Sequence, residues 1–469
     1  MAETMGAYSR TIADPHGKTV TLARQPRIYV LGTILCVALI VSSRSFGDRG
    51  GRHFMVALTV AGVAYLFAVR EFFATPRLSS RVIVFGLALA VVWHVEFLRL
   101  PPGVDDDIHR YVWDGRLQRL GYNPYLVIPS DPSFRALHTS ETRNLNNSDL
   151  PSPYPPGAQL FFRAVTALRE STFSLKVAFV LCDFAIVVVL FDLLRQLGQP
   201  LHLVLAFAWN PLLAIEVAGS GHIDIVGALL LVISAAALAR RWRTIGAVSF
   251  GLAIAVKFLP IVLIPLYWKR VRLRDAALAA LLVGLLYVPF VNHGHIPTGS
   301  LRAYVQGFRF NGPIFAAFDQ VAPASVLACL AVFAGLATAT WLRRKLPAWS
   351  PRAFAWPMAA SLLCAPAVFP WYLLWLLPFL TSPSTWPLLA WTVAIGATYV
   401  QWHLRALTGL WGALPRWVML FEYGFIAASA SIIWLTRPGR ASRHASSVSA
   451  TPELSSKTAS VQFTEEERS

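Results

Sequence analysis

The chain predicts an all-α, polytopic integral membrane protein, and three observations carry that prediction. Of its 469 residues 56% are hydrophobic and only 14% are charged, too little polar surface for a soluble chain of this length. Apolar runs of about 17–25 residues recur along it, long enough to cross a bilayer as helices. Lys and Arg gather in short clusters between those runs, as the positive-inside rule requires. Topology thereby accounts for the formal net charge of +17, and no nucleic-acid partner is expected.

Taken in order, residues 1–27 are polar and form a cytoplasmic N-terminal segment. The first apolar run starts at Ile28 and reads as an uncleaved anchor. Spans are expected at roughly 28–42, 54–70, 82–99, 173–194, 201–218 and 225–239. Later ones fall at about 275–291, 322–342, 354–369, 371–381, 386–402 and 417–436. The run 371–381 is short for a full crossing. Proline clusters mark the start (Pro101, Pro102) and a later bend (Pro151, Pro153, Pro155, Pro156) of a long outer loop, 100–172, and a second outer loop occupies 292–320. The apolar stretch 244–268 has basic clusters at both ends, so one crossing would put every later cluster on the wrong face. A hairpin broken near Lys257 and Pro260 resolves this. The result is a bundle of about 12–13 transmembrane helices over 28–436 with both termini cytoplasmic. Residues 437–469 are Ser/Thr-rich and should be disordered. The four cysteines lie in apolar runs without CxxC spacing and read as core residues.

The candidate site starts at "VDDDIHRYVWDGRLQRLGYNPY", residues 104–125. From Asp106 the chain reads as a helix resting on the membrane surface, with Asp107, Arg110/Tyr111, Asp114 and Gln118 in one polar stripe. A helix cap explains one aspartate, Asp105 or Asp106. Three adjacent acids at a membrane mouth point to chemistry or ligand binding, because clustered like charges repel. In the same loop "SPYPPGAQLF" offers Tyr154 within turn-forming residues. The turn "GSGHID" sets His222 and Asp224 at a span boundary, where a hydrogen-bonded pair and a contact to substrate hydroxyl or phosphate are equal readings. No metal site is assigned there, since His-x-Asp supplies too few ligands. Lys257 within an apolar run costs about 2.5–3.5 kcal/mol to insert, so it should line a polar cavity or meet an anionic lipid phosphate. "AYVQGFRFNGPIF" places Arg309 and Asn311 in the second outer loop, and a guanidinium suits phosphate oxygens. "FPWYLLWLLP" reads as an anchoring aromatic belt.

In their order along residues 100–380, "DDIHRYVWDGRLQRLGYNPY", "YPPGAQLF", "GHID", "AVKFLPIVLIPL" and "PWYLLWLLPF" resemble the membrane-embedded GT-C glycosyltransferases. The nearest likeness is to bacterial polyprenyl-phosphate-mannose-dependent mannosyltransferases, including the α-1,6 type. The resemblance implies a GT-C-like helical bundle in the cell membrane with catalytic loops on its outer face. It implies a polyprenyl-phosphate-linked sugar donor and a lipid- or glycan-linked acceptor. It also places the functional acid at Asp106-Asp107. Transfer from such a donor needs a base for the acceptor hydroxyl and cations for the departing phosphate. Asp107 is the expected base and Asp106 its helper. Asp105, Arg110, Tyr111, Asp114, Tyr154, His222, Asp224, Lys257, Arg309 and Asn311 are expected to bind substrate. No cofactor is expected; a divalent metal between the carboxylates is compatible with the reading but not required. The alternative is a multispan transporter or flippase of a lipid-linked or anionic substrate, which would also bury a lysine.

Overall fold

The structure, a computed structural model, describes residues 12–13, 19–20, 25–103, 106–143, 145–294, 298–347 and 349–435. Asp105 and the tail 437–469 lie outside the described residues, as does most of the N-terminal segment. Apart from a two-residue antiparallel pairing of Ile12–Ala13 with Thr19–Val20 and isolated bridges of Phe310 and Asn311 to Ala367, the regular structure of the described chain is helical. The first helices are α1 (Gln25–Ser43), α2 (Arg52–Ala74), α3 (Ser80–Leu98), α4 (Ile108–Arg119), α5 (Pro156–Leu168) and α6 (Thr172–Gln196). Then come α7 (Val204–Ala208), α8 (Asp224–Ala239), α9 (Arg243–Val256), α10 (Ile264–Tyr267), α11 (Leu273–Tyr287) and α12 (Leu301–Gly307). The last are α13 (Pro313–Phe318), α14 (Ala324–Arg343), α15 (Pro351–Leu363), α16 (Trp386–Ala394), α17 (Val400–Thr408) and α18 (Arg416–Leu435).

Six helices among the described residues are long and apolar enough to cross a membrane: α1, α2, α3, α6, α11 with the 3-10 turn that continues it to Phe290, and α14. A seventh span is gained if α7 and the π-helical turns 213–219, bent by 65° at their break, count as one. The predicted dozen is therefore not a dozen long helices. The runs 225–239 and 354–369 form shorter helices, and 371–381 folds into 3-10 turns at 370–375 and 377–379. Their side chains from Leu373 to Leu377 are buried, which irregular backbone at membrane depth requires. On the outside, Val84, Val188, Leu281 and Phe333 are largely exposed, the apolar skin that lipid would cover.

Side-chain contacts sort the helix ends into two faces. At one, Ser79 donates to Gln25 (3.0 Å) and the His202 ring meets the Phe72 carbonyl (3.0 Å). There too Arg240 pairs with Asp192, and Arg270 donates to the carbonyls of Arg343 and Leu346 at 2.9 Å. The basic clusters thus share one end, as the charge pattern predicts. At the other end Ser43 donates to Glu96 (3.0 Å) and Lys176 to the Leu100 carbonyl (2.6 Å).

The stretch 244–268 is the expected hairpin. α9 runs toward Lys257, whose ammonium meets Asp224 at the start of α8 (2.7 Å). Pro260 lies in the 3-10 turn 259–263 that follows, and the chain returns, so that Thr244 at the start of α9 donates to Asp275 at the start of α11 (2.7 Å). The cause is local. Lys257 is extended at φ −159°, and Pro260 and Pro265 cannot donate to a helical ladder.

Candidate active site

The outer loop folds into a small layer of its own on the end opposite the basic clusters. α3 stops at Leu98, before Pro101-Pro102, and α4 starts at Ile108 rather than Asp106. α4 does not rest on the surface as expected. Ile108, Tyr111, Val112, Trp113 and Leu117 are fully buried. Tyr111 stacks on Phe162 of α5 (centroids 4.4 Å) and Trp113 on His138 (4.1 Å). The loop wraps back over α4 and forms a second core of Trp113, Leu117, Val127 and Leu145. Burying those rings outweighs lying them on lipid headgroups, because each buries on the order of 150–250 Å².

The polar stripe of α4 faces this wrapped segment. Asp114 is buried and accepts from the Ser152 hydroxyl and the Gln159 amide (2.8 Å), while Gln118 donates to the Gln159 carbonyl (2.8 Å). Burial pushes the Asp114 carboxyl up to about 6, against the opposing influence of Arg110, Ser152 and Gln159. Arg110 is not a free anion ligand: one of its nitrogens donates to the carbonyls of Asn147 (2.6 Å) and Leu150 (3.0 Å). It fixes the turn that carries Asn146.

The two described aspartates at the head of the stripe have different fates. Asp106 is buried, ion-paired to the equally buried Arg49 at 2.7 Å, and accepts the Gly103 N–H (2.6 Å). Asp107 is half-buried and accepts from the Asn146 amide (2.7 Å) and the Tyr154 hydroxyl (2.8 Å), one on each oxygen. The cap expected of Asp105 or Asp106 is not what Asp106 supplies: Asp107 occupies the N-cap position of α4, and without a side-chain cap bond. Burial, reinforced by the Asp107 charge, raises the phenols of Tyr111, Tyr154 and Tyr304 above their ordinary range. Tyr154 therefore keeps its proton and stays a donor to Asp107. Tyr154 and Tyr304 line a small pocket with Arg110, Asn146 and Ser300. Ser300 donates to the Pro151 carbonyl (2.9 Å), and Asn123 to the Phe290 carbonyl (2.9 Å), so both outer loops close on this pocket.

Beneath it lies a buried network from the membrane segments. His222 meets Glu216 at 2.9 Å and stacks on Trp371 (centroids 4.0 Å), and its Nε2 is buried without a partner. Glu216 also accepts from the Tyr399 hydroxyl, and Arg49 donates to Ser220 in the same turn. Asp224 is not paired with His222. One oxygen accepts from Lys257 and from the Trp375 indole, both at 2.7 Å, and the other has no partner. Lys257 lies 4.0 Å above the centre of the Tyr372 ring. "FPWYLLW" is thus a wall of the site rather than a belt facing lipid.

Asp106, Asp107, Arg110, Tyr111, Asp114 and Tyr154 come together, and the charge of Asp224 also reaches Tyr111. Arg309 and Asn311 are engaged elsewhere. Arg309 pairs with Asp319 (3.1 Å), and buried Asn311 donates to Glu422 of α18 (2.9 Å). Asn311 anchors the second outer loop to the last helix instead of offering its amide to a ligand. Sequence reasoning missed Arg49 and Asn146. Arg49 carried a signal, since "SRSFGDRGGR" sets arginines on the face where the positive-inside rule disfavours them. Asn146 carried none. Among the described residues no three His, Cys, Asp or Glu side chains gather closely enough to hold a metal ion.

A multi-span helical bundle with a carboxylate oriented by Asn146 and Tyr154, two residues that line a pocket, suits a membrane glycosyltransferase, and that is the class to which the chain belongs. Residues 32–271, just over half of it, match the family described as "Alpha-(1->6)-mannopyranosyltransferase, N-terminal domain", and the chain is a member of that family. It is also similar to a solved structure, "Crystal Structure of ArnT from Cupriavidus metallidurans bound to Undecaprenyl phosphate". That likeness has 17% identity and a TM-score of 0.42 and covers 80% of this chain and 82% of that one. No curated protein matches the chain.

Proposed function

We propose that the protein transfers mannose from a polyprenyl-phosphate donor to a lipid- or glycan-linked acceptor at the outer face of the cell membrane, with inversion. In this reading both termini are cytoplasmic. Asp107 removes the acceptor hydroxyl proton as that oxygen attacks the anomeric carbon, and the bond to the polyprenyl phosphate breaks with its electron pair leaving on phosphate. The negative charge of Asp107 also favours the oxocarbenium-like transition state. Tyr154 and Asn146 hold the carboxylate in one orientation, which is where much of its advantage over a free acid lies. Lys257 is the cation best placed for the phosphate, being partly exposed while Arg49 and Lys176 are sealed in. A phosphate oxygen would compete with Asp224 for it. Asp106 is a positioning residue, held by Arg49. The reading requires no resident metal.

The observation that carries this proposal is the contrast between the two aspartates: one closed in an ion pair, the other open and oriented. The test is transfer by purified protein from polyprenyl-phosphate mannose to membrane acceptors, beside Asp107→Asn. We expect turnover to fall by about 10²–10⁴-fold, with donor binding retained. Unchanged turnover would remove Asp107 as the base. Transfer of another hexose in preference to mannose would reassign the donor.

A further inference from the structure

The end opposite the outer loops holds a second cavity, of about 510 Å³, lined by Arg241, Trp242, Arg243, Ile245, Arg272 and Asp275 among others. Other cations on this face are engaged: Arg240 pairs with Asp192 and lies over the Trp242 ring, and Arg270 is bound to two carbonyls. Arg241 and Arg243, by contrast, are exposed and make no side-chain hydrogen bond or ion pair among the described residues. Asp275 does not cancel them. Its oxygens accept from the Thr244 hydroxyl (2.7 Å) and the Arg272 N–H (3.3 Å), so it serves as the cap of α11 and is itself buried.

The backbone supports the same reading. Arg241 sits in the left-handed region at φ +61°, where glycine costs least and a long side chain is disfavoured. The turn closes α8 through the Arg241 and Trp242 N–H groups on the Leu238 and Ala237 carbonyls, and it sets Arg241 and Arg243 in the lining of one cavity. Beside the arginines the cavity has an apolar wall of Trp242, 52% exposed, and Ile245, 48% exposed. Convergent guanidiniums bind phosphate oxygens through two parallel N–H donors, and the flanking indole and isoleucine suit acyl chains at the headgroup level.

We propose that this cavity is a binding site for the phosphate of an anionic membrane phospholipid, held by Arg241 and Arg243 with Arg272 at its rim. α8, 16 residues long, separates it from Asp224 by about 24 Å, so it is distinct from the active site and independent of the reaction proposed there. Native mass spectrometry of the full-length protein, titrated with phosphatidylglycerol or phosphatidylcholine, tests it. Phosphatidylglycerol should bind in preference. Each lost guanidinium should weaken it about 5-fold, and the Arg241→Gly/Arg243→Gln pair about 30-fold. Arg241→Gly suits the turn, and an unchanged lipid-free thermal midpoint shows that the fold is intact. Equal retention of the two lipids, or equal phosphatidylglycerol binding by the wild type and the double variant, overturns the site. Inorganic phosphate at millimolar concentration displacing the lipid would assign the cavity to a soluble anion and overturn the lipid as its occupant.

Discussion

The two ends of α8 treat charge in opposite ways. Around Asp224 each basic side chain has a carboxylate partner: Lys257 meets Asp224 itself, Arg49 meets Asp106 and His222 meets Glu216. At Arg240–Arg243 the cations stand outward, and Arg240 alone finds a carboxylate. The difference follows from the surroundings. Buried charges must be paired because desolvation costs several kcal/mol per ion, whereas exposed ones are paired by water. At the outer end charge therefore fixes geometry, and removing one partner should be expensive. At the basic end the exposed cations hold no buried partner in place, and single losses should be mild.

The largest effect on folding should come from breaking the pair beneath the loop that carries Asp107. Arg49→Met leaves Asp106 buried without its cation, and we expect a loss of about 3–5 kcal/mol in stability. It should appear as a lower thermal midpoint in detergent. Adding Asp106→Asn removes the stranded charge and should recover a large part. A double variant no more stable than Arg49→Met would show that the pair is not what joins the α1–α2 loop to the outer layer.

Asp114 comes next, through pH. Its carboxyl keeps a proton up to about 6 in the folded protein, while an unfolded aspartate releases it near 3.9. Across that window the native state binds more protons than the unfolded state. Stability therefore falls as pH rises from about 4 to 6, by up to about 3 kcal/mol. The sign is opposite to that of a salt-bridged acid. Asp114→Asn should flatten the slope while keeping an acceptor for Ser152. Thermal midpoints measured from pH 4 to 7 would show it, and a variant with the wild-type slope would place the titration on another group.

How far the sequence displayed this division depends on the kind of signal. Membrane class, the shared face of the basic clusters and the hairpin at Lys257 were legible because hydropathy and charge are local quantities. So was the stripe of α4, since spacing of three and four survives whatever packs on it. The fate of each acid was not. Whether Asp106 or Asp107 stays open depends on Arg49, 57 positions away, and on Asn146 and Tyr154, 39 and 47 positions away. Helix lengths were hidden for a related reason. A buried apolar segment needs no helix of full length if its neighbours satisfy its backbone, and "PWYLLWLLPF" reads the same as 3-10 turns or as a span. Asn311 was misjudged because polarity in a loop does not reveal which way an amide points, and its partner Glu422 lies on the last helix.

The smallest effect should come from the second outer loop, and it sharpens the contrast from the opposite side. Arg309 pairs with Asp319 across a surface where each side chain is about one-third exposed, 32% and 29%, and it covers the Phe315 ring at 4.4 Å. Exposed pairs of this kind contribute about 0.2–1 kcal/mol. Arg309→Gln should therefore shift stability by no more than about 1 kcal/mol. It should also leave transfer close to wild type, because the guanidinium is engaged away from the Asp107 pocket. A much larger loss of turnover with normal stability would mean that the Arg309–Asp319 pair opens during the reaction and that the arginine moves onto the donor phosphate. Comparing KM with kcat separates the two cases: a spectator leaves both unchanged, and a phosphate ligand raises KM for the donor first.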